Sequence, residues 1–527
     1  MRLLTTVAAL RCYLDKRRWE NKLIIPNDLK TSWYQTTIGL VPTMGNLHQG
    51  HLSLIERSRQ ENSTVIVSIF VNPLQFGPKE DFHRYPRTLE SDCQLCEQAG
   101  VDAIFAPTPE ELALPQKSIQ ETSVTQVIPP DAMISSLCGR FRPGHFQGVT
   151  TIVTKLFNLV QPDRAYFGQK DGQQLAIIKR LVADLNLPVE IVACPTMREA
   201  SGLALSSRNQ YLTATEKEQA TVLFRGLRTA QAAFSAGIRN SKELIALVWQ
   251  EMAKVSNISV EYIELVDPTT LMFLDKVEEE GMLAIAARLG STRLIDNTIL
   301  SNRQPIIAID GPAGAGKSTV ARQVAEQLGL VYLDTGAMYR AITWLVLQEG
   351  IAFDDDCAIA QLADHCTIEL TPTVDLQSPV QVWINGIDVT QAIRSLEVTS
   401  KVSAIAAQAA VRQALVKQQQ SWGKRGGLVA EGRDIGTHVF PDAEIKIFLT
   451  ASVGERARRR QQDFQKQGQP ELSLEQLERD IAERDYKDST RQVSPLQKAA
   501  DAIELQTDGL NPDQVTAQIV DYYHRLG

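Results

Sequence analysis

The alternation of apolar and polar positions predicts a parallel α/β sheet in the first part of the chain. Several short apolar runs, each bounded by polar or turn residues, have the length and β-branched content of buried strands. These runs are Ile38–Val41, Thr64–Phe70, Ala103–Phe105 and Val189–Val192. Segments with helical period lie between them, and strands that alternate with helices are typical of a parallel sheet. A first domain is therefore predicted over residues 1–196.

The pattern then changes to that of a smaller α+β domain over residues 197–297. Helical period dominates first, and alternating runs that are typical of strands follow. The predicted helices are Thr213–Ser235 and Ser241–Val255, and the predicted strands are Ser259–Val266 and Met282–Arg288. Residues 298–304 predict a linker, because this polar stretch could bury little apolar surface. A new α/β pattern begins with the apolar run Ile306–Ile309, so a further domain is predicted over residues 305–527.

The composition is that of an ordinary globular protein. Of 527 residues, 43% are hydrophobic and 22% are charged, and the formal net charge is -8. A chain of this length exceeds what one hydrophobic core usually serves, so several domains are expected. The negative charge offers no general attraction to nucleic acid or to an anionic membrane, and no apolar run has membrane-spanning length. Small-molecule substrates are therefore expected, without nucleic-acid or membrane partners.

The N-terminal run and the cysteines bear on the compartment. The apolar run Leu3–Leu10 is short and lacks a small-residue cleavage site, so it predicts an amphipathic first helix and not a leader. Seven scattered cysteines predict reduced thiols in a cytoplasm. Cys93 and Cys96 form one CxxC in a helical segment. A role in helix packing is favoured there over zinc binding or redox chemistry, because no second CxxC or His pair accompanies them.

A complete phosphate-binding loop follows the run Ile306–Ile309. Residues 311–318 match GxxxxGK[ST] between a predicted strand and a predicted helix. The glycines let backbone N–H groups surround phosphate oxygens, and the helix adds the positive end of its dipole. Lys317 is predicted to reach the β- and γ-phosphates of ATP, and Ser318 to ligate Mg²⁺. The residues assigned to this ATP site are Gly311, Gly314, Gly316, Lys317, Ser318 and Thr319.

Arginines and carboxylates follow other predicted strands of this half. Arg433 and Asp434 come just after the apolar run Leu428–Ala430, and Arg484 and Asp488 lie further along the chain. A phosphoryl-transfer site needs several cations, because charge spreads over the oxygens of the moving group. Each arginine alone is more often a surface residue, but the joint pattern predicts a phosphate acceptor site.

Residues 305–527 resemble bacterial cytidylate kinase. The stretches that carry the resemblance include IIAIDGPAGAGKST, LDTGAMYRA, EGRDIGTHVFPDAEIKIFL and ERDYKDSTR. It implies a P-loop nucleoside monophosphate kinase fold with a lid, and transfer of phosphate from ATP to CMP or dCMP. Its implied catalytic residues are Lys317 and Arg433, and its implied acceptor-binding residues are Thr335, Arg340, Ser403, Arg412, Arg433, Asp434, Arg484, Asp488 and Arg491. An Asp suits cytosine, since it can accept a hydrogen bond from the N4 amino group that uracil lacks.

The basic run Arg456–Arg460 falls where these kinases carry the lid. One or more of Arg456, Arg458 and Arg459 are expected to close over ATP. A solvated helix face is the alternative for each of them.

Two histidines follow the first strand of the front half. His48 and His51 stand three residues apart at the start of a helix predicted from Leu52, so they share one face. Two imidazoles beside helix-terminal N–H groups suit an anionic phosphate. A zinc site is the competing interpretation of this spacing, but no HExxH frame or third ligand is nearby. Further polar runs follow other strands, as is typical of the ligand edge of an open α/β sheet.

About residues 1–297 resemble pantothenate synthetase, the pantoate–β-alanine ligase. The stretches that carry the resemblance are VPTMGNLHQGH, IFVNPLQFGP, GRFRPGHFQGVTTIV, FGQKDGQQ and LALSSRN. It implies a Rossmann-like domain with a small α+β domain, and formation of pantothenate through a pantoyl adenylate. The implied ATP-binding residues are Met44, Gly45, His48, His51, Gly168, Lys170, Asp171, Ser206, Ser207 and Arg208. The implied catalytic residues are His48, His51, Lys170 and Arg208, and Gln75 and Gln174 are implied to bind pantoate. Ser201 stands where this family usually has Asp.

Two alternatives remain open at this point. The front half could be a nucleotidyltransferase, since turns with the pattern HxGH, here His48–His51, serve both reactions. The back half could be a nucleotide-binding scaffold without turnover. The two chemistries share no intermediate, so no transfer between the sites is expected. The ligase resemblance also implies a homodimer through the front half.

Overall fold

The computed structural model describes residues 1–23, 37–78, 80, 82–114, 124–371, 380–466, 473–490 and 494–525. The chain divides into two compact units, Met1–Asn302 and Arg303–Gly527. Arg491, one of the predicted acceptor-binding residues, lies outside the described residues.

The first unit contains a six-stranded parallel sheet with the order β1-β4-β3-β2-β5-β6. Its strands are β1 (Arg2–Leu4), β2 (Ile38–Thr43), β3 (Thr64–Ile69), β4 (Ala103–Phe105), β5 (Arg164–Gly168) and β6 (Glu190–Cys194). The helices of this unit are α1 (Val7–Leu23), α2 (Gln49–Glu61), α3 (Leu89–Gln98), α4 (Asp131–Ile134), α5 (Leu137–Phe141), α6 (His145–Val160), α7 (Gly172–Asp184), α8 (Ala214–Ala220), α9 (Val222–Ser235) and α10 (Ser241–Met252). The parallel sheet predicted from the apolar runs is confirmed.

Two predictions about helix starts in this unit are wrong. Residues Arg2–Leu4 form strand β1, which pairs with β4, and the first helix begins only at Val7. As a strand, Arg2–Leu4 supplies partners for the backbone groups of β4, which would otherwise form the exposed edge of the sheet, and it buries Leu4. Helix α2 begins at Gln49 and not near Leu52, because the side chain of His48 caps it.

The rest of the first unit contains a three-stranded antiparallel sheet, with α9 and α10 packed on one face. Strands β7 (Ile258–Val266), β8 (Glu280–Leu289) and β9 (Thr292–Ser301) pair in this order. One apolar cluster joins this sheet to α6 and α7 through Phe146, Ile177 and Tyr262. The small sheet therefore packs on two helices whose other side covers the parallel sheet.

The linker predicted over residues 298–304 is shorter in the structure. Strand β9 continues to Ser301, where Leu300 is buried, and the next strand begins at Gln304. Polar residues on the outer face of β9 gave this stretch the composition of a linker, although alternate residues are buried. Arg303 is held by ion pairs with Asp442 and Glu444. The predicted boundary between residues 196 and 197 stays a prediction.

The second unit is built on a five-stranded parallel sheet with the order β11-β15-β10-β16-β17 and a small antiparallel sheet β12-β13-β14. The strands are β10 (Gln304–Asp310), β11 (Val331–Asp334), β12 (Ile368–Thr371), β13 (Gln381–Ile384), β14 (Ile387–Asp388), β15 (Gly426–Glu431), β16 (Ile445–Thr450) and β17 (Ile503–Gln506). The helices are α11 (Lys317–Leu328), α12 (Thr335–Gln348), α13 (Asp356–His365), α14 (Leu396–Ala407), α15 (Ala409–Gly423), α16 (Val453–Lys466), α17 (Leu474–Thr490) and α18 (Pro512–His524). Apolar clusters cover both faces of the parallel sheet.

Three features bear on the partners predicted from composition. Among the described residues, no helix has both the length and the apolar content needed to cross a membrane. All seven cysteines are free thiols, and Cys96 is packed in the core against α2 and β3. Within the described part of the chain, no group of three or more His, Cys, Asp or Glu side chains could hold a metal ion.

Candidate active sites

A short turn between β2 and α2 carries the two histidines of the front site. The carboxylate of Asp92 on α3 accepts hydrogen bonds from the backbone N–H groups of Asn46 (2.9 Å) and Leu47 (2.8 Å). Gly45 has φ +84°, and a Cβ there would lie 3.0 Å from Asp92 Oδ2. Glycine is therefore required by both the backbone angle and the space. Asp92 carried no predicted role, because nothing in a single helical Asp indicates a contact with a loop 46 residues away.

The two imidazoles cap the start of α2, with His48 at the N-cap and His51 in the first turn. His48 Nδ1 accepts from the Gly50 N–H (3.1 Å), and His51 Nδ1 accepts from the His48 N–H (3.3 Å). Because both Nδ1 atoms are acceptors, a neutral ring carries its proton on Nε2. The ring centroids are 4.1 Å apart. Each histidine therefore keeps one N–H free of the cap and available as a donor.

Both histidines are neutral at physiological pH. Burial, with the charge of Lys170, lowers the pKa of His48 to about 4. Burial, with His48 and Lys170, lowers the pKa of His51 to about 3. The capped turn therefore offers neutral hydrogen-bond donors, and Lys170 supplies positive charge beside them.

A cavity of about 290 Å³ gathers the predicted ligase residues. Its walls come from the ends of the parallel strands, from α6 and from the small sheet. The predicted residues on its lining are Met44, His48, His51, Gln75, Gly168, Lys170, Asp171, Gln174, Ser206, Ser207 and Arg208. Gly45 is not on the lining but shapes the turn. The structure thus brings together segments that lie far apart in sequence.

The end of this cavity at Gln75 is held by residues that carried no predicted role. Asn72 Nδ2 donates to Gln75 Oε1 (3.2 Å) and to the Gly148 carbonyl (3.0 Å). The buried His145 donates from Nδ1 to the Gln75 carbonyl (2.8 Å) and accepts from Arg142 (3.0 Å). A Cβ at Gly148 would overlap the Leu74 carbonyl oxygen, so only glycine permits this approach of α6. Gln75 is therefore fixed from two sides.

The Ser206–Arg208 segment closes the cavity near the histidine turn. Ser206 Oγ accepts from the Arg208 N–H (3.3 Å), and Ser207 Oγ donates to the Asn46 carbonyl (3.2 Å). Upstream, Ser201 Oγ accepts from the Leu203 N–H at 3.4 Å. The Ser in place of the usual family Asp thus makes a local turn contact, and the Ser206–Arg208 segment keeps its place on the cavity.

The phosphate-binding loop of the second unit leaves β10 and enters α11. Gly311, Gly314 and Gly316 have φ values of +147°, +79° and +89°, which favour glycine. A Cβ at Gly311 would overlap the Leu449 carbonyl oxygen of β16. Lys317 Nζ donates to the Pro312 carbonyl (2.7 Å), and burial together with Arg433 lowers the pKa of Lys317. Thr319 follows on the exposed side of the first helical turn.

Glu431, at the end of β15, is the carboxylate that contacts the start of α11, just after this loop. It accepts from Ser318 Oγ (2.9 Å) and from the Tyr332 hydroxyl. Burial, with the nearby Asp334, raises the pKa of Glu431. Its backbone carbonyl accepts from Thr335 Oγ1 (2.7 Å), so Thr335 is buried against β15. The sequence motif contained Glu431 but gave no sign of this contact, which depends on β15 lying beside β10.

The predicted base-binding residues Arg412 and Asp434 form a buried ion pair. Asp434 precedes a turn whose N–H groups, from Ile435 (2.8 Å) and Gly436 (2.7 Å), donate to the two carboxylate oxygens of Asp310. Burial raises the pKa of Asp310 to about 6 against these hydrogen bonds, and the nearby Asp434 adds to the rise. Ser403 is exposed on α14.

Permanent cations crowd the space between the loop and α17. Arg433 pairs with Asp488 (2.9 Å), and burial together with Arg433 lowers the pKa of Arg484. Arg340 is a further positive neighbour of Arg484. Asp488 compensates part of this positive charge, and the phosphate of a nucleotide would be stabilised by the rest.

The basic run on α16 does not act as one face. Arg456 is buried and donates to the Ala313 carbonyl of the loop (3.1 Å) while pairing with Asp485 (2.6 Å). Arg459 donates to the Thr507 carbonyl (2.7 Å), and Arg458 is mostly exposed beside Glu455. That one of the three closes over ATP stays a prediction.

Comparison with protein families gives two matches that divide the chain as the structure does. The Pantoate-beta-alanine ligase model matches residues 4–299, and the Cytidylate kinase model matches residues 307–525. A bifunctional pantoate ligase/cytidylate kinase of Trichormus variabilis is 81% identical over 529 residues, covering 100% of this chain and 99% of that protein. The chain belongs to the bifunctional pantoate ligase/cytidylate kinase family.

More distant proteins agree with this family. The bifunctional pantoate ligase/cytidylate kinase of Trichodesmium erythraeum is 54% identical over 528 residues, covering 99% of this chain and 97% of that protein. A pantothenate synthetase structure from Thermus thermophilus is 43% identical with a TM-score of 0.50, and it covers 56% of this chain and 99% of that chain. The chain is a bifunctional enzyme with pantoate–β-alanine ligase and cytidylate kinase activities, both from ATP-using families. The nucleotidyltransferase and scaffold alternatives have no support among these matches.

Proposed function

We propose that the front cavity forms pantothenate in two steps. The carboxylate of pantoate attacks the α-phosphorus of ATP, a P–O bond to pyrophosphate breaks, and pantoyl adenylate remains bound. The amine of β-alanine then attacks the acyl carbon and AMP leaves. Holding both reactants in one cavity supplies much of the rate enhancement, so no protein nucleophile is needed.

The capped pair His48 and His51 carries this proposal. Their Nε2–H groups donate to phosphate oxygens as charge builds up, and Lys170 neutralises it. Ser206, Ser207 and Arg208 complete the phosphate contacts. Met44, Gly45 and Gly168 border the nucleotide and Asp171 binds its ribose, while Gln75 and Gln174 hold pantoate through its hydroxyls and carboxylate.

We propose that the second unit transfers the γ-phosphoryl group of ATP to CMP or dCMP. The loop from Gly311 to Thr319 binds ATP, with Lys317 at the β- and γ-phosphates. Arg340 and Arg433 bind the acceptor phosphate together with Thr335 and Arg491. Arg484 and Asp488 bind the ribose, and Ser403, Arg412 and Asp434 bind the base. The buried Arg412–Asp434 pair is the observation that supports cytosine, because it fixes an acceptor oxygen where the N4 amino group is expected.

The residues around Ser318 fit Mg²⁺. Hydroxyl and carboxylate oxygens are the ligands that Mg²⁺ prefers, and Ser318 Oγ lies 2.9 Å from the Glu431 carboxylate. Ser318 would ligate the ion and Glu431 would lie beside it. When bound with ATP, the ion neutralises charge on the β- and γ-phosphates.

We also propose a homodimer through the ligase unit and a cytoplasmic location. The free state of all seven cysteines supports a reducing compartment. Sedimentation of the full chain would measure the first, since a monomer at all concentrations would exclude the dimer.

Two assays on the same preparation test the two reactions. Pantoate, β-alanine and ATP should give equal amounts of pantothenate and AMP, and absence of both would exclude the ligase proposal. CMP, dCMP and UMP compared as acceptors should show the first two preferred. Equal use of UMP would contradict the proposed base recognition.

A further inference from the structure

Strand β9 of the small sheet borders the ligase cavity with two adjacent polar residues, Asp296 and Asn297. Asn297 Nδ2 donates to two successive carbonyl oxygens, those of Gln169 (3.0 Å) and Lys170 (2.7 Å). These carbonyls belong to the turn that carries Lys170 and Asp171. One amide group therefore holds the backbone of the residue proposed to neutralise the phosphates.

Asp296 holds a second segment. Its two carboxylate oxygens accept from the two terminal nitrogens of Arg198 (2.6 and 2.9 Å), and only 4% of Asp296 is exposed. A bidentate pair of this kind fixes direction as well as distance. Arg198 also donates to the Gly202 carbonyl (3.2 Å) and lies over the Phe224 ring. It thereby shapes the loop that leads into Ser206–Arg208.

The two residues are coupled to each other and to the site. The Asn297 N–H donates to Asp296 Oδ1 (2.9 Å), so the amide and the carboxylate share one local arrangement. Lys170, Ser206 and Asp296 line one hollow of about 10 Å³, so the two segments and Asp296 meet there. A Cβ at Gly172 would lie 2.5 Å from Met282 Sδ, so the Lys170 turn packs directly on the small sheet.

We propose that Asp296 and Asn297 are positioning residues that set the distance between Lys170 and the Ser206–Arg208 segment during adenylate formation. The inference rests on the proposed ATP-phosphate roles of those groups. The carboxylate of Asp296 and the side-chain nitrogen of Asn297 are engaged by protein, so the two residues are proposed to act through the two segments. A triphosphate must be gripped by both segments at once, whereas pantoyl adenylate has lost two of its phosphates. The first half-reaction therefore depends on this spacing more than the second.

The test compares the two half-reactions in Asn297→Ala and Asp296→Asn variants of the full chain. Pyrophosphate release in a single turnover measures adenylation, and pantothenate formation from chemically prepared pantoyl adenylate with β-alanine measures the second step. Misplacement of reacting groups by about 1 Å costs about 10²-fold, so adenylation should fall about 10- to 100-fold. The second step and the KM for pantoate should change less than about threefold, since neither uses the full triphosphate grip.

Asn302→Ala is the matched control. Asn302 also donates from Nδ2 to a backbone carbonyl of the first unit, that of Glu278 (3.3 Å), but it is not on the cavity. It should leave both half-reactions unchanged, and kinase activity of each variant reports the amount of intact chain. If Asn297→Ala folds poorly, Asn297→Ser takes its place in the test. Its hydroxyl can still donate one hydrogen bond, so this variant should keep part of the adenylation rate.

The outcomes separate the possibilities. An equal loss in both half-reactions would mean support of the fold alone and would overturn the inference, as would no loss in either. Lys170→Ala is measured alongside. If it reduces adenylation while Asn297→Ala does not, the inference fails and the proposed function stands. If Lys170→Ala has no effect, the proposed role of Lys170 itself fails.

Discussion

The two ATP sites proposed for this chain differ in the chemical groups that would bind the phosphates. In the front cavity, the donors nearest the histidine turn are neutral imidazoles held by helix-capping hydrogen bonds, with Lys170 as a nearby cation. In the second unit, Lys317 is surrounded by the permanent charges of Arg433 and Arg484. A site where a carboxylate must approach phosphorus gains from donors without net charge, which do not trap that anion. A site that transfers a phosphoryl group from a nucleoside triphosphate to a nucleoside monophosphate gains from fixed cations.

Removal of the loop lysine should have the largest effect. Lys317→Met should lower kinase kcat by about 10³-fold, because the site loses its charge at the transferring group. Ligase activity of the same chain should stay within about twofold, since that site gets its positive charge from Lys170 and Arg208. Initial rates of both reactions measure this, with the exposed Lys424→Met as control. A comparable fall in ligase rate would contradict the independence of the two sites.

Loss of the capping imidazole should come next. His48→Ala should reduce adenylation about 10²-fold or more, since one preorganised donor to the developing charge disappears. His48→Gln should retain more activity, because it keeps an N–H donor without a charge. Pyrophosphate release measures both, and His83→Ala, at an exposed position, is the control. If His48→Lys were more active than His48→Gln, charge and not neutral donation would be what the front site requires.

Acceptor choice should respond to Asp434. Asp434→Asn removes one partner of a buried ion pair, which typically costs about 3–5 kcal/mol of unfolding free energy. The ratio of kcat/KM for CMP over UMP should fall about 10- to 100-fold, since the acceptor oxygen for N4 is weakened. Denaturant unfolding and steady-state assays measure the two effects. An unchanged ratio in a folded variant would exclude Asp434 from base recognition.

The pH dependence of the two activities should differ between the two sites, by a smaller factor than the substitutions above produce. Burial raises the pKa of Asp310 to about 6, above its ordinary value of 3.8, so its carboxyl binds a proton on the acid side of pH 6 in the folded chain. Protonation removes an acceptor for the turn after Asp434, and the KM for CMP should rise several-fold as pH falls from about 7 to about 5. The rate of the ligase reaction, plotted against pH, should not change near the ordinary histidine pKa of 6.5. The reason is that His48 and His51 have pKa values of about 4 and 3.

The Asp310→Asn variant distinguishes the titration of the enzyme from the titration of its substrate in that experiment. Phosphate groups of nucleotides also titrate near pH 6, and this contribution remains in both proteins. The difference between the two KM profiles should therefore disappear at low pH and be largest above about pH 7. Identical profiles would mean that Asp310 does not control the turn.

Separation of the chain should have the smallest effect. Each unit has its own apolar clusters, so residues 1–302 and 303–527 expressed apart should keep both rates within about twofold. Activities of the two fragments against the intact chain measure this. A large loss in either would indicate coupling that the two chemistries do not require.

Residues near each other in sequence accounted for most of what could be predicted. Apolar runs such as Ala103–Phe105 predicted the strands, because burial on both faces of a parallel sheet leaves a short continuous signal. The glycines of residues 311–316 predicted a phosphate loop, because few residue types tolerate its backbone angles. The linker was predicted too long for a related reason. Period-two alternation in β9 ends in polar residues, and composition alone does not distinguish an exposed strand face from a loop.

The sequence by itself determined the local chemistry of this protein: where strands precede polar turns, which turns can bind phosphate, and which families the two halves resemble. Only the tertiary structure decided which distant groups hold those turns in place. Asp92 reaches the histidine turn from α3, Glu431 reaches Ser318 from a neighbouring strand, and Asn297 reaches the Lys170 turn from another sheet. These contacts depend on strand order and helix packing, and a hydrogen bond across 46 to 127 positions leaves no periodic trace in one sequence.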